Sequence, residues 1–97
     1  MNATTVVHVR DPGGYDTYIG RAVPRAGLKA SEWANPYRIG RDGTRDEVIA
    51  KYRAYVLSRS DLMARLPELR GARLGCWCRP EACHGDVLAA LAERRGP

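Results

Sequence analysis

The stretch Cys76-Trp77-Cys78-Arg79-Pro80-Glu81-Ala82-Cys83-His84-Gly85-Asp86 constrains this chain more than any other. It joins a strand pattern over residues 73–78 to an apolar helical pattern over residues 86–94. In a strand of period two, Cys76 and Cys78 share one face and Trp77 takes the other. Pro80 has no N–H to donate, so the ladder ends at the Arg79-Pro80 step. Cys83 and His84 then fall near the opening turn of the helix, where free N–H groups and the positive end of the dipole favour anions and thiolates. A strand end facing a helix start is where open α/β sheets bind ligands. The stretch therefore calls for an α/β domain and marks a candidate site.

The remaining chain fits that class. Residues 4–10 read as a first strand rich in β-branched side chains, followed by the turn signal Asp11-Pro12-Gly13-Gly14. Residues 16–20 suit a short second strand, and the two together suggest a hairpin, with a strand-to-loop arrangement as the alternative. Residues 21–43 hold no sustained period, and an irregular loop of this length inside a small domain is functional or disordered. Leu28, Trp33, Tyr37 and Ile39 can pin it to a core. Thr44-Arg45-Asp46-Glu47 is a capping box opening a helix whose core stripe is Val48, Ile49, Tyr52, Tyr55 and Val56. Arg45, Lys51, Arg53 and Arg59 lie off that stripe and are expected to face solvent. Ser60-Asp61 can cap a short second helix, carrying Leu62, Met63 and Leu66 and limited by Pro67. The expected architecture is one α/β domain over residues 1–97: a small sandwich with a short mixed or partly parallel sheet and about three helices.

Composition narrows the partners. Lys and Arg exceed Asp and Glu by 16 to 11, a net charge of +5, and fourteen of the cations are Arg. Such a surface attracts phosphates, although an Arg-rich genome would give the same balance. No run of ~18 apolar residues suits a membrane span, and no charged start with an apolar stretch suits a secretory signal. Three cysteines, an odd number, fit a reducing compartment, so the cytoplasm of a bacterium or of a phage-infected cell is expected.

The Cys/His stretch supports several chemistries. Cys76, Cys78, Cys83 and His84 are four donors that zinc accepts, although their spacing is not that of two separated ligand pairs. Cys83 at a helix start can serve as a nucleophile, with His84 or His8 carrying the proton. Redox pairing of Cys78 with Cys83 is a third reading. In the plainest one Cys76 and Cys78 are buried small apolar residues, while His84 and Asp86 cap and charge the helix start. In the loop, Trp33-Ala34-Asn35-Pro36-Tyr37 combines rings that stack on planar ligands with an amide that reads a polar edge. An ordinary turn with Trp33 in the core fits the same residues.

The start of the chain (Val9-Arg10-Asp11), Tyr18-Ile19-Gly20-Arg21, Trp33-Ala34-Asn35-Pro36-Tyr37 and the Cys/His stretch together resemble the family called domain of unknown function 4326 over nearly the whole chain. That family occurs in bacteria and their phages. The last motif also resembles the Cys-x-Glu…Cys-His-Arg motif of domain of unknown function 488, with Cys78 in place of the Glu and Gly85 in place of the Arg. The first reading is a domain that binds a phosphate-bearing small molecule such as a nucleotide or nucleoside derivative. Arg10, Arg21, Trp33, Asn35, Tyr37 and Cys78 would bind it, with Cys83, His84 and Asp86 as the residues for any chemical step. The alternatives are a zinc-braced module that binds nucleic acid, held by Cys76, Cys78, Cys83 and His84, and a phage-type protein that blocks a host partner.

Overall fold

A computed structural model describes residues 3–93; residues 1–2 and 94–97, including the expected helix end at Arg94, lie outside the described residues. The strands are β1 (Thr5–His8), β2 (Thr17–Tyr18) and β3 (Arg73–Cys76). The α-helices are α1 (Arg45–Ser58), α2 (Ser60–Arg65) and α3 (His84–Glu93). The result is a small α/β domain with a fully parallel three-stranded sheet. Among the described residues no helix is long and apolar enough to cross a membrane.

The strand order is β1-β3-β2, so the last strand inserts between the first two. Thr5 to His8 pair with Arg73 to Cys76, and Thr17 and Tyr18 pair with Leu74 and Gly75. This corrects the hairpin expectation. The Asp11-Pro12-Gly13-Gly14 turn does reverse the chain, with Asp11 N–H donating to His8 and Gly14 N–H to Asp11. The segment then runs back across one face of β3 instead of pairing with β1. Arg73 holds it there: its side chain donates to the Gly14 carbonyl (2.9 Å) and to the Asp11 carboxylate (3.1 Å). Its backbone exchanges hydrogen bonds with Asp16. These contacts span some sixty residues of sequence, and no local pattern announces them.

Alternation along β3 separates the two faces. Gly75 points toward Tyr15 of the returning segment, so close that a Cβ there would lie 2.7 Å from the ring. Leu74 and Cys76 point the other way, into the core formed with Tyr52, Val56, Leu62, Leu66 and Leu88. All three helices gather on that face.

Local signals set the helix starts. Thr44 caps α1 in a complete capping box: its hydroxyl accepts from Glu47 N–H, and its own N–H donates to the Glu47 carboxylate (2.8 Å). Val48, Tyr52 and Val56, four residues apart, are the buried face. Residue Arg59, without a side-chain cap bond, precedes α2, so Ser60 is its first turn and not its cap. Pro67 does not end the helical path but starts a 3-10 turn, Leu66–Leu69, that buries both leucines. Helix α3 begins two residues earlier than its apolar pattern, at His84, which is buried. The strands are shorter than their patterns: β3 stops at Cys76, where Val9 N–H makes the last bond from the β1 side.

The loop over 21–43 is ordered by a few long-range bonds. Arg21 donates to the carbonyls of Asn35 (2.9 Å) and Tyr37 (2.7 Å). Tyr52, fully buried, donates its hydroxyl proton to the Trp33 carbonyl (2.7 Å). Trp33 is the true core anchor at 3% exposure, whereas Ile39, expected to help, is 52% exposed. Leu28 and Tyr37 are half-buried.

Two substitutions test this arrangement by urea unfolding. A Cβ at Gly85 would lie 2.8 Å from Ile19 and 3.0 Å from Val6, because α3 sits hard on the sheet. Gly85→Ala is expected to destabilise by about 1–3 kcal/mol, outweighing the gain of about 1 kcal/mol in helix propensity; a more stable variant would refute the close contact. Tyr52→Phe leaves the Trp33 carbonyl without its donor and is expected to lower stability by about 1–3 kcal/mol. Unchanged stability would show that the loop is not held there.

Candidate functional site

At the carboxyl ends of β2 and β3 the structure contains a cavity of about 480 Å³. Its floor is Cys76, Cys78, Cys83 and His84. Three arginines, Arg21, Arg38 and Arg45, stand on its walls. The remaining walls are largely apolar, with Val23, Tyr37 and Ile39 from the loop, Val48 and Ile49 from α1, and Trp77 beyond β3. This volume falls in the usual range for small-molecule sites of about 300–1,000 Å³.

The floor is assembled from a strand end and a helix start, and the turn between them is braced by Arg79. That guanidinium donates to the Val6 carbonyl (3.2 Å) and to the Asp86 carboxylate (2.5 Å). Asp86 in turn accepts from Cys83 N–H (3.0 Å). With residues 77–83 so folded, the sulfurs of Cys76 and Cys83 and a ring nitrogen of His84 lie within 4.8 Å of one another, all three residues buried. All three cysteines are free thiols.

The three thiols stand close enough to shift one another's protonation. Cys78 accepts from Cys76 and Cys83 and also meets Arg45, which together hold its thiol far below the ordinary thiol range. The donors shift the opposite way: Cys76 is raised chiefly by its bond to Cys78, and Cys83 by its bonds to Cys76 and Cys78. Cys78 is the half-buried member of the three, and all three line the cavity. Burial pushes the His84 imidazole down, so it is neutral at neutral pH. Its Nε2 lies 2.7 Å from the Ile19 carbonyl. A carbonyl can only accept, so Nε2 carries the proton and Nδ1 is left as a bare lone pair. The Tyr52 ring meets the imidazole edge-on at 4.9 Å, and burial raises its phenol well above the ordinary range.

The structure brings together Arg21, Asn35, Tyr37, Cys76, Cys78, Cys83 and His84 around this one space. Other residues singled out in the sequence lie elsewhere. Trp33 is in the core, with the Arg65 guanidinium over its ring at 5.9 Å, and does not line the cavity. Arg10 stacks on Trp77 at 5.4 Å, outside the cavity lining. Asp86 braces the turn from behind through Arg79. The Asn35 side chain is engaged with backbone: its Oδ1 accepts from Tyr37 N–H (2.9 Å) and its Nδ2 donates to the Val48 carbonyl (3.3 Å).

Arg45 departs from its expected place. It lies off the core stripe of α1, yet it is half-buried and donates to the Ala82 carbonyl (2.9 Å) while reaching Cys78. Its position in the first turn of α1, opposite the Cys/His turn, explains this, and the helical period alone cannot reveal it. Arg59 is likewise half-buried, donating to the Tyr55 hydroxyl (2.6 Å) and pairing with Asp61. Arg38, outside any helix, gave no signal in the sequence. Its guanidinium has no partner among the described residues.

Comparison with known proteins sets this geometry beside relatives. The chain is 40% identical over 86 residues to an uncharacterised protein of Acanthamoeba polyphaga mimivirus, covering 78% of this chain and 65% of that protein. It is 37% identical over 67 residues to an uncharacterised 12.4 kDa protein from the nrdA-td intergenic region of Enterobacteria phage T4. That match covers 64% of this chain and 60% of the phage protein. The matched segments thus span less than two thirds of either relative. No solved structure matches the chain. The family described as Domain of unknown function (DUF4326) matches residues 6–94, from the second residue of β1 through α3, and the chain belongs to that family.

Proposed function

We propose that this domain binds a phosphate-bearing small molecule, such as a nucleotide or nucleoside derivative, in the cavity at the carboxyl end of its sheet. The observation that carries this reading is that Arg21, Arg38 and Arg45 line one largely apolar cavity with no carboxylate among its described lining residues. Three guanidinium groups without acidic neighbours on the lining favour an anion, and Arg presents planar paired donors suited to phosphate. Tyr37 and Trp77 supply rings against which a flat base can lie.

The three arginines divide the work. Arg21 and Arg45 each commit donors to backbone carbonyls, so they are held in place before any ligand arrives. Arg38 has no such commitment and is the cation free to close on a phosphate. Chemistry on the ligand, where it occurs, falls to Cys78 rather than to the buried Cys83, because Cys78 alone of the three is partly exposed.

Calorimetric titration with nucleosides, their mono- and diphosphates, and inorganic phosphate tests the reading. Phosphorylated compounds are expected to bind and the neutral nucleosides to bind at least tenfold more weakly, about 1.4 kcal/mol. Arg38→Gln should weaken the phosphate-bearing ligand by about 10- to 100-fold, the worth of a charge-assisted hydrogen bond, without altering the unfolding midpoint. Equal affinity for a nucleoside and its phosphate would refute the proposal. Tighter binding of an oligonucleotide than of its mononucleotide would refute it in favour of a nucleic-acid surface.

A further inference from the structure

The floor of the cavity has a property that ligand binding by the arginines does not use. The geometry points to a metal site in which Cys76, Cys78, Cys83 and His84 hold a thiophilic divalent ion, zinc by the chemistry of the donors.

The donor set comes first. Cys76, Cys83 and His84 place their ligand atoms within 4.8 Å of one another. A tetrahedral zinc with bonds of about 2.3 Å to sulfur and 2.0 Å to nitrogen needs donors about 3.5–3.8 Å apart. For these three, closing the remaining gap asks for a movement of about 1 Å. Cys78 lies outside that group of three, but it lines the same cavity and its N–H donates to the Cys76 sulfur, so its thiol is the fourth donor that an ion would draw in. Thiolate and imidazole together select zinc over the hard cations, which need oxygen.

Two further observations concern the surroundings of these atoms. The His84 Nε2–H donates to the Ile19 carbonyl, which fixes the tautomer and presents Nδ1 as the free lone pair. Metal-bound histidines characteristically anchor the second ring nitrogen in this way. In addition, backbone N–H groups point at two of the sulfurs, Cys78 N–H at the Cys76 sulfur (3.5 Å) and Gly85 N–H at the Cys83 sulfur (3.3 Å). Such donors stabilise the negative charge that a metal-bound thiolate retains, and a neutral buried thiol has no need of them. Arg45, beside Cys78, offsets the surplus charge of three thiolates on one divalent ion.

The spacing of the ligands explains why the sequence pattern looked unsuitable. Adjacent residues seldom reach one ion, but Cys83 is the last residue before α3 and His84 its first, so the backbone turns between them. That turn aims both side chains into the same space. The site does not depend on the ligand reading above, and either can fail without the other.

Elemental analysis of the full chain, purified under reducing conditions with a histidine-free tag, tests the inference. About one zinc per chain is expected, with all three thiols protected from labelling until a chelator is added. Cobalt(II) added to the metal-free chain should give the strong visible bands and sulfur charge-transfer absorption of a tetrahedral thiolate site. Cys78→Ser, at the half-exposed position, should weaken zinc by more than about tenfold. His84→Cys keeps four donors and should retain the ion with stronger charge transfer. A reduced, folded wild-type chain that takes up no zinc from excess would overturn the proposal, as would a disulfide among the three cysteines without metal. A weak, octahedral cobalt spectrum would overturn it too.

Discussion

Strand β3 is hydrogen-bonded along both edges, to β1 on one side and β2 on the other, and the other features take their places from it. Its alternation sends Leu74 and Cys76 into the helical core and leaves Gly75 bare for the Tyr15 ring. Because all three strands run the same way, their carboxyl ends open at one place. The first residues of α1 and α3, Arg45 and His84, both line the cavity there.

The cavity separates two kinds of chemistry by depth. Around its walls stand guanidinium groups, two of them fixed on backbone carbonyls and one unengaged. At its floor stand the buried Cys76 and Cys83, the half-buried Cys78 and a neutral imidazole, with Cys76, Cys83 and His84 hydrogen-bonded to backbone. A cationic wall above a nucleophilic or metal-holding floor is an arrangement that draws an anion in and sets a soft, electron-rich centre against it. Arg45 links the two levels, with one donor on the Ala82 carbonyl and another toward Cys78. The Arg79–Asp86 pair lies behind the floor and holds the shape of the turn. Its acidic member thus serves the geometry of the site from outside the cavity.

Much of this was legible in the sequence, and the reasons for the rest are physical. The capping box at Thr44 and Glu47, the helical stripe of α1 and the strand-turn-helix order around Pro80 are local patterns, readable because short-range bonds determine them. The fold class followed from them. A partly parallel sheet was readable, but the insertion of β3 between β1 and β2 was not, since β2 is two residues long and the returning segment is held by Arg73, far along the chain. Arg45 and Arg38 escaped notice for a related reason: a surface position on a helix or loop says nothing about what another segment brings beside it. Conversely, Asn35 and Trp33 were noticed for ring and amide chemistry that the fold largely uses to hold the loop in place. The close approach of Cys83 and His84 side chains depends on the backbone changing direction between them, which spacing does not encode.

The most direct measurement is the change in backbone amide NMR shifts when a nucleoside monophosphate is titrated into isotope-labelled protein. If the cavity is the binding site, the amides of Arg21, Tyr37, Arg38, Arg45 and Cys78 move together and saturate with one affinity, while those at the exposed Arg25 and Arg53 stay still. Shifts centred on Arg25 or Arg53, or drifting without saturation across the basic surface, would contradict the account and leave the charge of the chain, not its cavity, as the source of binding.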